Sequence, residues 1–224
     1  MTVRFGYYNG MISAIICDLD GLLVDTEKLH LQAYTEILAR HNVLLDPAEY
    51  ARHWIRSGKG IAEYVANHEL PFDPRSLHGE KVVRYHALIR ESLAPMPGAL
   101  DFIERFRGRK RLALATSSYL EGVQMILEQL HITNVFEAVA TRTSVTKVKP
   151  APDIFLHIAG LLALDPSQCV VVEDAQKGVE AAHAAGMKSI AVPNRFTLND
   201  DFSKATAMVR SLDEITPEFL DSLG

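Results

Sequence analysis

Residues 15–30 read IICDLDGLLVDTEKLH and set three carboxylates, Asp18, Asp20 and Asp25, around a glycine directly after an apolar run. Carboxylates this close repel one another, so the stretch calls for cations. A second acidic pair, Glu173-Asp174, closes the apolar run CVVVE; hydroxyls stand at Thr116, Ser117 and Ser118, and a lysine at Lys149. Asp18, Asp20, Glu173 and Asp174 are hard oxygen donors, the set that suits Mg²⁺, which takes a few carboxylates together with water and phosphate oxygens. Lys149 adds fixed positive charge and Thr116 a hydroxyl donor. Together they suit a tetrahedral dianion beside a divalent cation, which is a phosphoryl group. Each piece alone is ordinary: Asp-x-Asp-Gly is common in turns, Ser or Thr often caps a helix, and Asp174 could be only an N-cap.

These residues meet only if a fold brings them together. Short apolar runs recur at 12–17, 111–115, 135–140, 169–173 and 188–192, without strict alternation, as expected for strands covered on both faces. Helical patterns lie between them. Residues 97–107 place Pro97 at a first helical position, and 118–130 open on Ser118-x-x-Glu121, a capping box. Residues 152–162 begin at Pro152, and 176–185 stop at Gly186. Alternation of this kind predicts an α/β fold with a doubly wound parallel sheet. In such a sheet ligands sit beyond the carboxyl ends of the strands, where Asp18, Thr116, Lys149 and Glu173 all fall.

Residues 27–93 break the alternation with four helical patterns, 27–41, 47–54, 60–68 and 76–92, interrupted by the turn-rich PFDP at 71–74. They predict an all-helical cap inserted into a core made of 11–26 and 94–224. Residues 1–10 show no period and are expected to be a poorly ordered extension. The run RGRKR at 107–111 reads as a solvated turn.

Composition narrows the partners. Twenty-three basic against 28 acidic side chains leave a net charge of −5, which argues against a nucleic-acid polyanion as ligand. No apolar stretch is long enough to span a membrane and no signal-peptide core is present, so a cytoplasmic protein is expected. Cys17 and Cys169, both inside apolar runs, read as buried free thiols. Nothing in the sequence speaks for self-association, and a monomer is the default.

From residue 12 to about 195 the chain resembles the haloacid dehalogenase superfamily, in its phosphatase and β-phosphoglucomutase-like branch. The motifs are DLDGLLVD at 18–25, LALAT ending at Thr116, Lys149-Pro150-Ala151-Pro152-Asp153, and VVVED followed by AQKG. The resemblance implies a Rossmann-like core under a helical cap. It makes Asp18 the nucleophile that forms an aspartyl phosphate, and Asp20 the general acid and base. Mg²⁺ would be held by Asp18, the Asp20 backbone carbonyl, Glu173 and Asp174, with Thr116 and Lys149 on the phosphoryl oxygens. Thr26 and His30 match a hinge pair that steers the acid/base aspartate, and Lys81 matches a cap lysine that meets the substrate. Asp25 is read as a turn-former bonding backbone amides. The cap loop WIRSGKG at 54–60 offers Arg56 and Lys59 to a substrate but lacks the mutase spacing of Lys-Gly and Arg. The presence of Asp20 speaks against dehalogenation.

The leading expectation is therefore a Mg²⁺-dependent phosphatase of a small phosphorylated metabolite, a sugar phosphate above all, with Ser117 and Ser118 near the substrate. A β-phosphoglucomutase-type phosphomutase shares the same intermediate and stands second. A silent phosphometabolite-binding module would have lost the nucleophile or the acid, and both are present.

Overall fold

The computed structural model describes residues 11–223; the expectation for residues 1–10 lies outside the described residues. Strands β1 (Ala14–Cys17), β2 (Arg111–Ala115), β3 (Ala138–Ala140), β4 (Cys169–Glu173), β5 (Lys188–Ala191) and β6 (Ala207–Met208) form one parallel sheet in the order β3-β2-β1-β4-β5-β6. The chain winds outward from β1 in one direction and then, from β4, in the other. The crevice between β1 and β4 is thus the switch point where such sheets bind ligands.

Strand side chains alternate between two apolar cores. Ile15, Cys17, Leu112, Leu114, Val170 and Val172 face one layer, with Phe102, Phe106 and Ile126. Ala14, Ile16, Ala113, Ala115 and Val171 face the other, with Phe155, Ile158 and Ala181. Since both faces are buried, the alternation leaves no polar beat in the sequence. The layers are built from α5 (Ala99–Phe106) and α6 (Leu120–Gln129) on one side and α7 (Asp153–Leu162) and α8 (Gln176–Ala184) on the other, with α9 (Pro217–Ser222) at the end. Both cysteines are buried and free.

Between β1 and β2 lie α1 (Thr26–Ala39), α2 (Pro47–Tyr50), α3 (Ile61–Asn67) and α4 (Pro74–Ser92), with a core of their own that includes Tyr34, Ile37, Tyr50, Tyr64 and Leu77. Both α2 and α4 start on Asp-Pro: the carboxylates of Asp46 and Asp73 accept first-turn N–H groups, and the prolines occupy positions that need no N–H.

Several local expectations are corrected. The helix expected over 47–54 is α2 followed by a π-helical turn, Ala51–Arg56. Helix α5 begins after Gly98, whose φ of 76° only glycine adopts easily, so Pro97 stands outside it. Strand β3 starts only at Ala138, and the two-residue β6 has no sequence signal at all. In the RGRKR turn, Lys110 Nζ donates to Ile12 O at 2.7 Å and Arg111 pairs with Glu137, so only its first residues are freely solvated.

Candidate active site

Asp18 follows β1 directly, and its N–H donates to Val172 O at 3.0 Å, extending the ladder to β4. The side chain therefore emerges in the crevice at the switch point. Lys149 Nζ donates to Asp18 Oδ1 at 2.5 Å, Glu173 Oε1 at 2.6 Å and Ala115 O at 2.9 Å, which uses all three ammonium protons. The second Glu173 oxygen accepts the N–H groups of Asp174 and Ala175 at 3.1 and 3.2 Å. A Cβ at residue 178 would sit 1.8 Å from Glu173 Oε1, so Gly178 is what lets this carboxylate lie down against α8.

Burial pushes the Asp18 carboxyl up to about 7; Lys149 pulls it down, and Glu173 and Asp20 push it further up. Asp174 lies well above the carboxylate range, through burial first and then the charges of Glu173 and Asp18. Burial opposes the charge of Lys149, yet its two carboxylate partners raise it above an ordinary lysine. Oxygens of Asp18, Glu173 and Asp174 lie within 4.8 Å of one another. Ionising all three buried carboxylates against one ammonium would leave an excess of negative charge that a cation offsets, and all the donors are hard oxygens. The residues fit a divalent cation. The Asp20 carboxylate is not part of this cluster, contrary to a four-carboxylate grouping.

Three hydroxyls explain where it is. Thr26 Oγ1 donates to Asp20 Oδ1 at 2.7 Å, and Thr116 Oγ1 and Ser118 Oγ donate to Oδ2 at 2.8 and 2.7 Å. Two expectations change as a result. Ser118 does not cap α6, which starts at Leu120 without a side-chain cap. Thr116, expected on the phosphoryl oxygens, gives its proton to Asp20 and accepts the Ser118 N–H. Ser117 lines the cavity, and its hydroxyl makes no hydrogen bond among the described residues.

Asp25 does not bond backbone amides. It accepts from Arg195 Nη2 at 3.0 and 3.2 Å, and makes no side-chain cap for α1. His30 stacks on Tyr85 with ring centroids 4.0 Å apart, and its Nδ1 lies 2.6 Å from Lys81 Nζ. Burial and then the Lys81 charge hold His30 well below the usual histidine value, so its Nδ1 accepts from the lysine. Lys81 is therefore turned to His30 and lines neither cavity of the site.

The reactive groups surround a cavity of about 130 Å³, lined also by Glu27, His30 and Lys177. It adjoins a cleft of about 510 Å³, sharing Ile55, Lys149, Ala175 and Lys177 with it and adding Arg56. Lys59 lies in the same loop but lines neither space. Glu27, Lys177 and Asn194, whose Nδ2 donates to Asp174 Oδ2 at 2.7 Å, were not singled out from the sequence. Asn194 had a signal: it follows the fifth apolar run, so it too stands at a strand's carboxyl end. Glu27 and Lys177 read as ordinary first-turn charges.

A crevice at the switch point of a doubly wound parallel sheet, furnished with carboxylates, a lysine and hydroxyl groups, is where an α/β enzyme of this topology binds its ligand. Residues 12–186 match the model of the haloacid dehalogenase-like hydrolases, and the chain belongs to that family. The fructose-1-phosphate phosphatase YqaB of Escherichia coli (strain K12) is 32% identical over 181 residues, which cover 80% of this chain and 96% of that protein. CbbY from Rhodobacter sphaeroides, solved in complex with phosphate, has a TM-score of 0.83 at 30% identity and covers 94% of this chain and 100% of that one. The β-phosphoglucomutase of Clostridium difficile has a TM-score of 0.78 at 26% identity, over 95% and 97% of the two chains. Among the described residues no helix is long and apolar enough to cross a membrane.

Proposed function

We propose that the chain is a Mg²⁺-dependent phosphoric-monoester hydrolase of a small phosphorylated metabolite, a sugar phosphate, working through an aspartyl phosphate on Asp18. The observation that carries this reading is the division of the carboxylates: Asp18 stands in the cation cluster beside Lys149, while Asp20 is held apart by three hydroxyls. Residues 27–93 serve as a cap over a core of 11–26 and 94–224. The substrate named for the relative YqaB, fructose 1-phosphate, supports a sugar phosphate.

Asp18, Glu173, Asp174 and the Asp20 backbone carbonyl would hold the cation, which would supply charge neutralisation for the phosphoryl oxygens and the nucleophile. Asp18 attacks phosphorus as the ester oxygen departs, and Asp20 protonates that oxygen. Asp20 then takes a proton from the water that attacks the aspartyl phosphate, returning Asp18 and releasing phosphate. The hydroxyls of Thr26, Thr116 and Ser118 suit both halves, because each can donate to a carboxylate and accept from a carboxylic acid. Lys149 exchanges one of its three bonds for a phosphoryl oxygen, and Ser117 offers a second donor. Glu27 and His30, which also line the cavity, are offered to the sugar hydroxyls.

A phosphomutase reading keeps one observation in its favour. Arg56 and Lys177 line the adjoining cleft, where a second phosphoryl group could stand. One assay separates the two: a panel of sugar phosphates is incubated with Mg²⁺, and phosphate release and isomer formation are followed separately. Release of phosphate without isomer is the expected result, and Asp18→Asn lowers it by at least about 10³-fold. Release that survives Asp18→Asn overturns the mechanism; isomer formation dependent on a bisphosphate primer selects the mutase.

A further inference from the structure

The loop after β5, Asn194 to Thr197, touches both the cation cluster and the helical insert. Asn194 Nδ2 donates to Asp174 Oδ2 at 2.7 Å and to Gly21 O at 3.0 Å. Its Oδ1 accepts the Phe196 N–H at 2.8 Å, and its own N–H donates to Thr197 Oγ1 at 3.0 Å. Segments following β1, β4 and β5 are thus tied at one amide side chain. The approach depends on Gly21: a Cβ there would lie 2.6 Å from both Asn194 Nδ2 and Asp174 Oδ2. No other side-chain or backbone group among the described residues donates to the Asp174 carboxylate. A plain turn residue would satisfy only its own loop, whereas this amide reaches out to a buried acid.

The next two residues reach the other way. Arg195 Nη2 bonds both oxygens of Asp25, the residue that leads into α1 and so into the insert. Its guanidinium lies 4.8 Å from the Phe196 ring centroid, and Phe196 packs against the insert's own apolar core. One short turn therefore orients a candidate metal ligand with its first residue and seats the insert with its second and third.

We propose that Asn194 is a positioning residue for Asp174, and that Arg195 and Phe196 couple the orientation of that carboxylate to the seating of the helical insert. The proposal rests on the hydrolase reading above for the identity of the cation. Groups that hold a metal ligand in place set its affinity as well as its geometry, and their loss commonly weakens binding by about 10–100-fold.

The test is calorimetric titration of the full chain with MgCl₂ alone, no substrate present, together with the Mg²⁺ dependence of phosphate release. Asn194→Ala should bind Mg²⁺ at least about tenfold more weakly, and saturating Mg²⁺ should restore most of its lost rate. Arg195→Ala removes an exposed side chain, and should weaken Mg²⁺ severalfold. The double variant should be no weaker than Asn194→Ala, because both act through one ligand. Wild-type Mg²⁺ affinity in either single variant, additive losses in the double variant, or a rate deficit that saturating Mg²⁺ leaves untouched would overturn the proposal. If Asn194→Ala does not fold, the Arg195→Ala affinity decides alone. Failure of the hydrolase reading looks different: a wild-type chain that binds Mg²⁺ and releases no phosphate. A wild-type chain that binds no Mg²⁺ would overturn both.

Discussion

Lys149 and Lys81 are equally buried, each with 6% of its surface exposed, and their surroundings treat them in opposite ways. Lys149 sits between the carboxylates of Asp18 and Glu173, and its charge is held more firmly than in water. Lys81 meets a neutral histidine and the faces of Tyr85 and Tyr34, at 4.5 and 5.1 Å from the ring centroids. Burial lowers it to about 8, against the upward pull of Glu27 and Asp20. Depth alone does not decide a buried lysine's state; the presence of a carboxylate at hydrogen-bond distance does. The strand-end region is built to keep charge, and the contact between α1 and α4 in the insert to tolerate a lysine whose charge is weakened.

Substitution by methionine, which keeps the chain length and removes the charge, tests that contrast most strongly at Lys149. Lys149→Met leaves Asp18 and Glu173 buried without their cation and should cost about 3–5 kcal/mol of stability, read by denaturant unfolding, with loss of phosphate release. A loss below about 1 kcal/mol would break the comparison. Next comes the cation: Mg²⁺ at 100 times its dissociation constant should stabilise the wild-type chain by about 2.7 kcal/mol, and EDTA should reverse this. Lys81→Met, which leaves the three carboxylates in place, should keep that full response.

His30 gives a smaller effect with a defined sign. Its folded-state pKa is depressed, so below 6.5 the unfolded chain binds the proton and the folded chain does not. The contribution of His30 to stability should fall as pH drops below 6.5, by up to about 1.4 kcal/mol per pH unit. The raised Asp18 carboxyl contributes in the opposite direction, so the His30 effect is read as the difference between wild type and a variant. In His30→Asn this slope should flatten; an unchanged slope would show that His30 is not the neutral partner of Lys81.

The smallest change is expected for Lys81→Met at neutral pH, within about 1.5 kcal/mol of wild type and in either direction. Here too the sign follows from the shift. Between pH 8 and 10.5 the unfolded chain keeps the Lys81 proton that the folded chain has lost, so wild-type stability gains on the methionine variant across that window. Parallel pH curves for the two proteins would remove the case for a weakened Lys81 charge.

Much of the sheet was legible because its strands are short apolar runs bounded by the polar residues of the candidate site. Strand β1 ends where Asp18 begins, and β4 ends on Glu173; burial and function share those boundaries. The two-residue β6 left no trace, since its pairing comes from its neighbour β5 rather than from its own composition. Ser118 shows how a correct local pattern can mislead. Ser-x-x-Glu is a sound helix-start signal, but the hydroxyl finds a stronger partner in Asp20, a carboxylate that is distant in the chain. Asn194 carried only its strand-end position as a signal: in sequence it is a turn former, and only the crossing of three loops turns its amide toward Asp174.

The sequence by itself determined the parallel α/β core, the helical insert and the candidate set Asp18, Asp20, Lys149, Glu173 and Asp174. Those rest on composition, periodicity and residue chemistry, which are local properties. Tertiary structure alone decided which carboxylate meets which cation. It took Asp20 out of the acidic cluster with three hydroxyls, tied Asp25 to Arg195 and turned Lys81 to His30. Hydrogen bonds and buried charges are set by distances of a few ångströms between segments far apart in the chain, and only the packed fold fixes those distances.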